Sequence, residues 1–399
     1  MGPRTFRQAV RAWAVGLLLI LAVVSLAGAH EGREHADPEL LNHWRTQVHL
    51  LFQWAHLVAF ALWVGGMLAA SRLPRLSLER LLFGSWALLL VSLGTGTYNM
   101  EYGAATPDPP DILALPVLSR RYEFGAAYIS LIGVKQALFL LAALLTLTVT
   151  ALHLRWPPAT DRGGLRRAFV VGSVVLGLSL AAVTAAVLVL HEAVDLAPTP
   201  LHSLGGVVGP RGPEELAPSA AARQVAPPPY GTDTRAPAAG FRLLALPRVA
   251  GDATARFGHL IGFALWLGGT AAMLATATDD ARRVLPFLWL GMALQGVSGA
   301  YQMLTWTPFA LVPYPSRLSL MEQFRFGYTY TLLLTAKLGL AGLALLGTVG
   351  LTLASRGATG SHSTGWGRRF GWLNLALGLV LAYVAVALLL VHEGIDHAL

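Results

Sequence analysis

Nine runs of apolar residues, each near the length a helix needs to cross a bilayer, govern what this chain can fold into. They fall at about 12–29, 49–70, 81–99, 124–153, 168–191, 257–277, 284–303, 327–354 and 370–392. In hydrocarbon every backbone N–H and C=O must be bonded within the structure, so such runs predict helices. Charged residues are 13% of the chain and hydrophobic ones 55%, which excludes a single soluble domain and a disordered chain. The predicted fold is all-α and polytopic, with the lipid bilayer as its first partner.

The first run differs from the rest. Arg4, Arg7 and Arg11 precede it and Ala27-Gly28-Ala29 closes it. Residues 1–29 therefore read as a cleaved secretory signal, or as an uncleaved anchor. Twelve arginines (Arg72, Arg75, Arg80, Arg155, Arg162, Arg166, Arg167, Arg282, Arg283, Arg356, Arg368 and Arg369) fall in short loops on one side. By the positive-inside rule that side is cytoplasmic, which leaves eight spans and both mature ends outside. The net charge of +8 thus reads as topology, with no nucleic-acid partner implied.

The eight spans are two copies of four. His56-Leu-Val-Ala-Phe60-Ala-Leu-Trp63-Val-Gly65-Gly66 recurs as His259-Leu-Ile-Gly-Phe263-Ala-Leu-Trp266-Leu-Gly268-Gly269 at an offset of 203. Gly96-Thr-Tyr98-Asn-Met100 recurs as Gly299-Ala-Tyr301-Gln-Met303. Phe124-Gly125, Tyr128 and Lys135 recur as Phe326-Gly327, Tyr330 and Lys337. His191-Glu192-Ala-Val-Asp195 recurs as His392-Glu393-Gly-Ile-Asp396. Tandem repeats at 49–196 and 256–399 follow, parallel because each has an even number of helices. A Pro/Gly/Ala-rich outer linker, 197–255, joins them around Pro227-Pro228-Pro229, and a lead-in at 30–48 carries His30, His35 and His43. His49 opens the first membrane run.

The recurring polar residues are the candidates for chemistry. The chain has no cysteine, which removes thiolate metal sites, iron–sulfur clusters and cysteine nucleophiles. Lys135 and Lys337 are the only lysines and both sit inside apolar runs, where a cation costs roughly 3 kcal/mol to insert. Each shares a helix face with the Tyr seven residues before it, Tyr128 or Tyr330. Either the lysine fixes helix packing, or it holds an anionic group such as a haem propionate, or it moves a proton. His56, Phe60 and Trp63, and likewise His259, Phe263 and Trp266, form one stripe. The histidine is a metal or haem ligand, or an interhelical hydrogen-bond partner. The glycine pairs permit close helix approach. His191 and His392 close the fourth helices with an Asp four residues on, and Met100 and Met303 end the second helices, all towards the outer face. Imidazole and thioether together suit copper, and methionine is also an axial haem ligand. No Walker A sequence, Gly-x-Ser-x-Gly elbow or His-Glu-x-x-His motif is present.

The His-x6-Trp-x-Gly-Gly helix, the Gly-x-Tyr helix end and the Phe-Gly-x-x-Tyr-x6-Lys helix resemble the copper-resistance D (CopD) family of bacterial inner-membrane proteins. That resemblance covers three of four helices in each copy. It implies copper transport or resistance beside a small periplasmic copper protein. The His-then-Trp helix and the Lys helix are also similar to HemJ-type protoporphyrinogen oxidases. This second resemblance implies haem b ligated by His56 or His259, with Lys135 or Lys337 as partner. Two expectations follow. One is a copper-handling protein using His56, Met100 and His191, and His259, Met303 and His392. The other is a membrane redox protein carrying two haems b, one per repeat, that exchanges electrons with a redox partner. Apart from the resemblances, the residues also allow a structural subunit whose polar side chains only lock helices together. Depth bears on the choice, because the apolar run puts His56 about eight residues, or ~12 Å, into its helix and His191 at the outer end.

Overall fold

The structure is a computed structural model, and it describes residues 41, 44–74, 76–102, 125–155, 163–195, 241, 244–276, 282–305, 327–356 and 363–397. The segment 1–29, His30, His35, His43 and the Pro227–Pro229 stretch lie outside the described residues. Among the described residues there are eight long helices and no strand: α1 Trp44–Ala70, α2 Leu78–Tyr102, α3 Gly125–Arg155, α4 Gly163–Asp195, α5 Pro247–Leu274, α6 Leu285–Thr305, α7 Gly327–Arg356 and α8 Ser363–His397. Seven of them are long and apolar enough to cross a membrane, which marks a multi-pass membrane protein. The other, α6, falls short on apolarity. Its 21 residues reach ~31 Å, but Gln295, Tyr301 and Gln302 lower its mean hydropathy.

Two helices begin earlier than their apolar runs. The α1 helix starts at Trp44, inside the expected lead-in, and α5 starts at Pro247, inside the expected linker. Hydropathy marks only the lipid-facing stretch, whereas the helical backbone continues into polar turns. Pro247 suits a first turn, because its fixed φ is helical and its missing N–H would have had no partner there. At the other end of α1, the Arg166 guanidinium donates to the carbonyls of Ala70 at 2.7 Å, Leu73 at 2.7 Å and Leu76 at 2.9 Å. It thereby bonds carbonyls that the end of a helix leaves over, and it fastens the start of α4 to the end of α1.

Helix α1 packs on α2 and α4, and α3 on α2 and α4. The same pattern holds for α5 with α6 and α8, and for α7 with α6 and α8. Between the two sets, α1 packs on α5, α4 on α5 and α8 on α1. Directions follow from facing residues. Leu379 meets Trp54 and Tyr383 meets Gln47, so α8 runs antiparallel to α1. Gly371 faces Leu274 and Gly378 faces Leu267, so α8 is antiparallel to α5 as well. The α1 and α5 helices are therefore parallel. Arg72, Arg80, Arg166, Arg167, Arg282, Arg283, Arg368 and Arg369 gather at one end of the bundle.

The α1–α5 contact is a glycine seam. A Cβ on Gly65 would collide with the Ala264 carbonyl oxygen, and one on Gly268 would lie 2.7 Å from the Ala61 carbonyl oxygen. Lipid tails are as apolar as leucine, so helices in a bilayer associate by close packing and hydrogen bonds. Helices α1, α4, α5 and α8 form the inside of the molecule, while α2, α3 and α7 turn most of their side chains outward. The outward leucines and valines, among them Leu90, Leu140, Leu144, Val297 and Leu346, face where lipid would lie.

Candidate functional site

His56 stands midway along the 27-residue α1, and His259 midway along the 28-residue α5. Because α1 starts at Trp44, His56 is ~18 Å along the helix from its start, while its place in the apolar run is unchanged. Each imidazole is half-buried and bonded to a hydroxyl on the next helix. His56 Nδ1 lies 3.0 Å from Thr95 Oγ1, and His259 Nδ1 lies 3.0 Å from Ser298 Oγ. The interhelical hydrogen bond expected as one reading is thus present, and it fixes the ring chemistry. Thr95 Oγ1 donates its single proton to the Val91 carbonyl at 2.7 Å, and Ser298 Oγ donates to the Leu294 carbonyl at 2.5 Å. With the hydroxyl proton donated to the carbonyl, each hydroxyl accepts from the ring, and the tautomer this favours has the proton on Nδ1 and Nε2 bare. The Ser92 carbonyl, 3.4 Å from the Thr95 hydroxyl, lies on the same edge of the His56 ring. A donating Nδ1 and a free Nε2 is the arrangement that ligating histidines adopt.

The next helix leaves room for the ring. A Cβ on Gly96 would come within 3.2 Å of His56 Cε1, and one on Gly299 within 3.7 Å of His259 Cε1. Lys135 on α3 is close enough for its charge to act on His56, and Lys337 on α7 acts likewise on His259. Tyr128 and Tyr330 sit two turns outward of these lysines. Two turns inward of each histidine, on the same face, are Trp63 and Trp266, 4% and 2% exposed. Both indole N–H groups are buried without a hydrogen-bond partner. An unmet buried donor costs about 1–3 kcal/mol, and here it is tolerated at both matched positions.

The other expected ligands stand at a different level. Gly177 faces Val64 and Gly378 faces Leu267. Counting along the helices from those pairs puts the backbone of His191 ~9 Å outward of His56, and that of His392 ~9 Å outward of His259. Met100 and Met303 follow Thr95 and Ser298 by five residues, ~8 Å further out. The side chains of His191, His392 and Met100 lie outside the described residues. Among the described residues, no group of three or more His, Asp or Glu side chains is placed to hold a metal ion. The structure therefore puts a Lys within charge reach of the His in each set and leaves the fourth-helix His and the Met nearer the outer end.

Several partners were missed in the sequence. Thr95 and Ser298 each follow their histidine by 39 residues, a match visible once the copies are aligned. Trp86 Nε1 donates to Thr150 Oγ1 at 3.1 Å, and Trp289 Nε1 to Thr352 Oγ1 at 3.0 Å, joining the second helix to the third in both sets. The outer approach to each histidine differs. Near His56 are Gln53, in contact with His49 at 2.6 Å, and Tyr98, stacked on Phe52 at 3.9 Å. Near His259 are Arg256 and a Tyr301 hydrogen-bonded to Asp252. No protein-family model matches the chain, and no curated protein matches it.

Proposed function

We propose that this is a membrane redox protein of eight spans, built as two parallel four-helix repeats, that binds one haem b in each repeat. The carrying observation is the hydroxyl relay behind His56 and His259, which leaves Nε2 of each ring as an unprotonated ligand at mid-membrane depth. Gly96 makes room for the His56 ring itself, and Lys135 and Lys337 would offset the negative charge of the propionates. Haem b would supply one-electron chemistry. Thr95 and Ser298 orient the ligand, and the flanking helices exclude water. By the positive-inside rule the basic ends would face the cytoplasm, which supports a place in a bacterial inner membrane with both mature ends on the periplasmic side.

The test is a reduced-minus-oxidised visible spectrum of the detergent-purified full chain, with metal analysis on the same sample. Two b-type haems per chain are expected, and a featureless spectrum after expression with haem supplied overturns the reading. Thr95→Val should leave the first haem bound but loosened, because the ring loses its orienting acceptor. Loss of such an outer partner typically weakens metal affinity by about 10–100-fold. A haem-transfer assay to apomyoglobin measures this, and Ser298→Ala should act equally on the second site.

Copper handling of the CopD type is the second reading. It is favoured by the common outer level of Met100 with His191, and of Met303 with His392. A periplasmic copper chaperone would deliver to that level. Bound copper that survives His56→Ala but not Met100→Ala with Met303→Ala would support it.

A further inference from the structure

The two sites match in their ligand and lysine and diverge one turn outward, where Gln53 in α1 corresponds to Arg256 in α5. Resting on the haem reading, we propose that Arg256 makes the His259 site the more readily reduced of the two, so that a half-reduced protein holds its electron there. Arg256 precedes His259 by three residues, and side chains three apart share a helix face. Its charge reaches the His259 ring, in addition to that of Lys337. At the matching place Gln53 is neutral and in contact with His49, and among the described residues Lys135 is the one charge that acts on His56.

A fixed positive charge favours the state of the iron with one positive charge fewer, and it acts strongly where the dielectric is low. Asp252 opposes Arg256, but it lies a further turn out, ~10 Å along the helix from His259, and is bonded to Tyr301. The lysines, hydroxyls and glycines are matched, so they contribute alike to both sites. Geometry adds a direction. The α1 and α5 helices are parallel and cross at Gly65 and Gly268, and each histidine lies nine residues outward of its glycine. The two sites thus share one depth, and the offset in potential orders them along the membrane plane.

A potentiometric titration of the full chain followed in the haem bands tests this. His56→Ala and His259→Ala assign the two waves, the higher one to the His259 site. Arg256→Gln should lower that wave and draw the two together, Arg256→Lys should keep it in place, and Gln53→Arg should raise the lower wave. Two haems with one shared potential, or waves that ignore both Arg256→Gln and Gln53→Arg, overturn the inference and leave the haem reading standing. Absence of haem from the wild-type chain removes both.

Discussion

His56→Ala is expected to lose half of the bound haem, His259→Ala the other half, and the double variant all of it. Each Nε2 is the bare nitrogen of a ring whose Nδ1 proton is already committed to Thr95 or Ser298. Alanine offers no substitute donor, and apart from these two no imidazole on the described helices stands at that depth. The two rings belong to different helix sets, so their losses should add. The structural cost is small by comparison. One interhelical hydrogen bond in a membrane protein is worth about 0.6 kcal/mol, so each variant should still purify as a folded protein. Haem content per chain by the pyridine haemochrome method checks this, with a thermal melt as control. Full haem content in both single variants would sink the ligand assignment.

Gly65→Val should abolish stable assembly of the two helix sets. At this position the obstacle is the Ala264 carbonyl oxygen, which is backbone and has no rotamer to change. Overpacking a core usually costs about 1–3 kcal/mol, and a clash of backbone on side chain along the central helix pair belongs at or above the top of that range. Gly268→Val meets the backbone of Ala61 and Gly65 and should behave alike. Gly66→Val is the control on the neighbouring residue, because a Cβ there meets nothing within 4 Å. Melting temperature and monodispersity in detergent read the outcome. Equal melts for Gly65→Val and Gly66→Val would show that the seam does not hold the molecule together.

Much of this architecture was legible because a bilayer constrains sequence so strongly. Apolar length gave the helices, and arginine placement gave their common end. The helix starts were less legible. Polar residues such as Thr46, Gln47 and Asp252 lie on helical turns beyond the apolar stretch, where hydropathy no longer reports backbone state. The histidine and lysine stood out because each is costly in lipid and each occurs twice. Thr95 and Ser298 did not, since a hydroxyl in a membrane helix usually bonds its own backbone, as Thr146 does to Ala142. These two bond backbone and imidazole at once, and that is a property of packing between helices. The cross-set bonds from Trp54 to Leu379 and from Tyr383 to Gln47 were invisible for another reason. Their counterparts by offset are Phe257 and Leu178, and Ala182 and Ala250, so no recurrence announced them.

The glycine seam bears on how such a chain could arise. A surface that meets its own copy across an axis is self-complementary, so a lone four-helix unit would pair with another of its kind as a symmetric dimer. In such a dimer every substitution is forced on both sides at once. Fusing the halves into one gene lifts that restriction. A tyrosine can then reach a glutamine on one flank while alanines hold the matching positions on the other, and the surroundings of the two histidines are free to diverge.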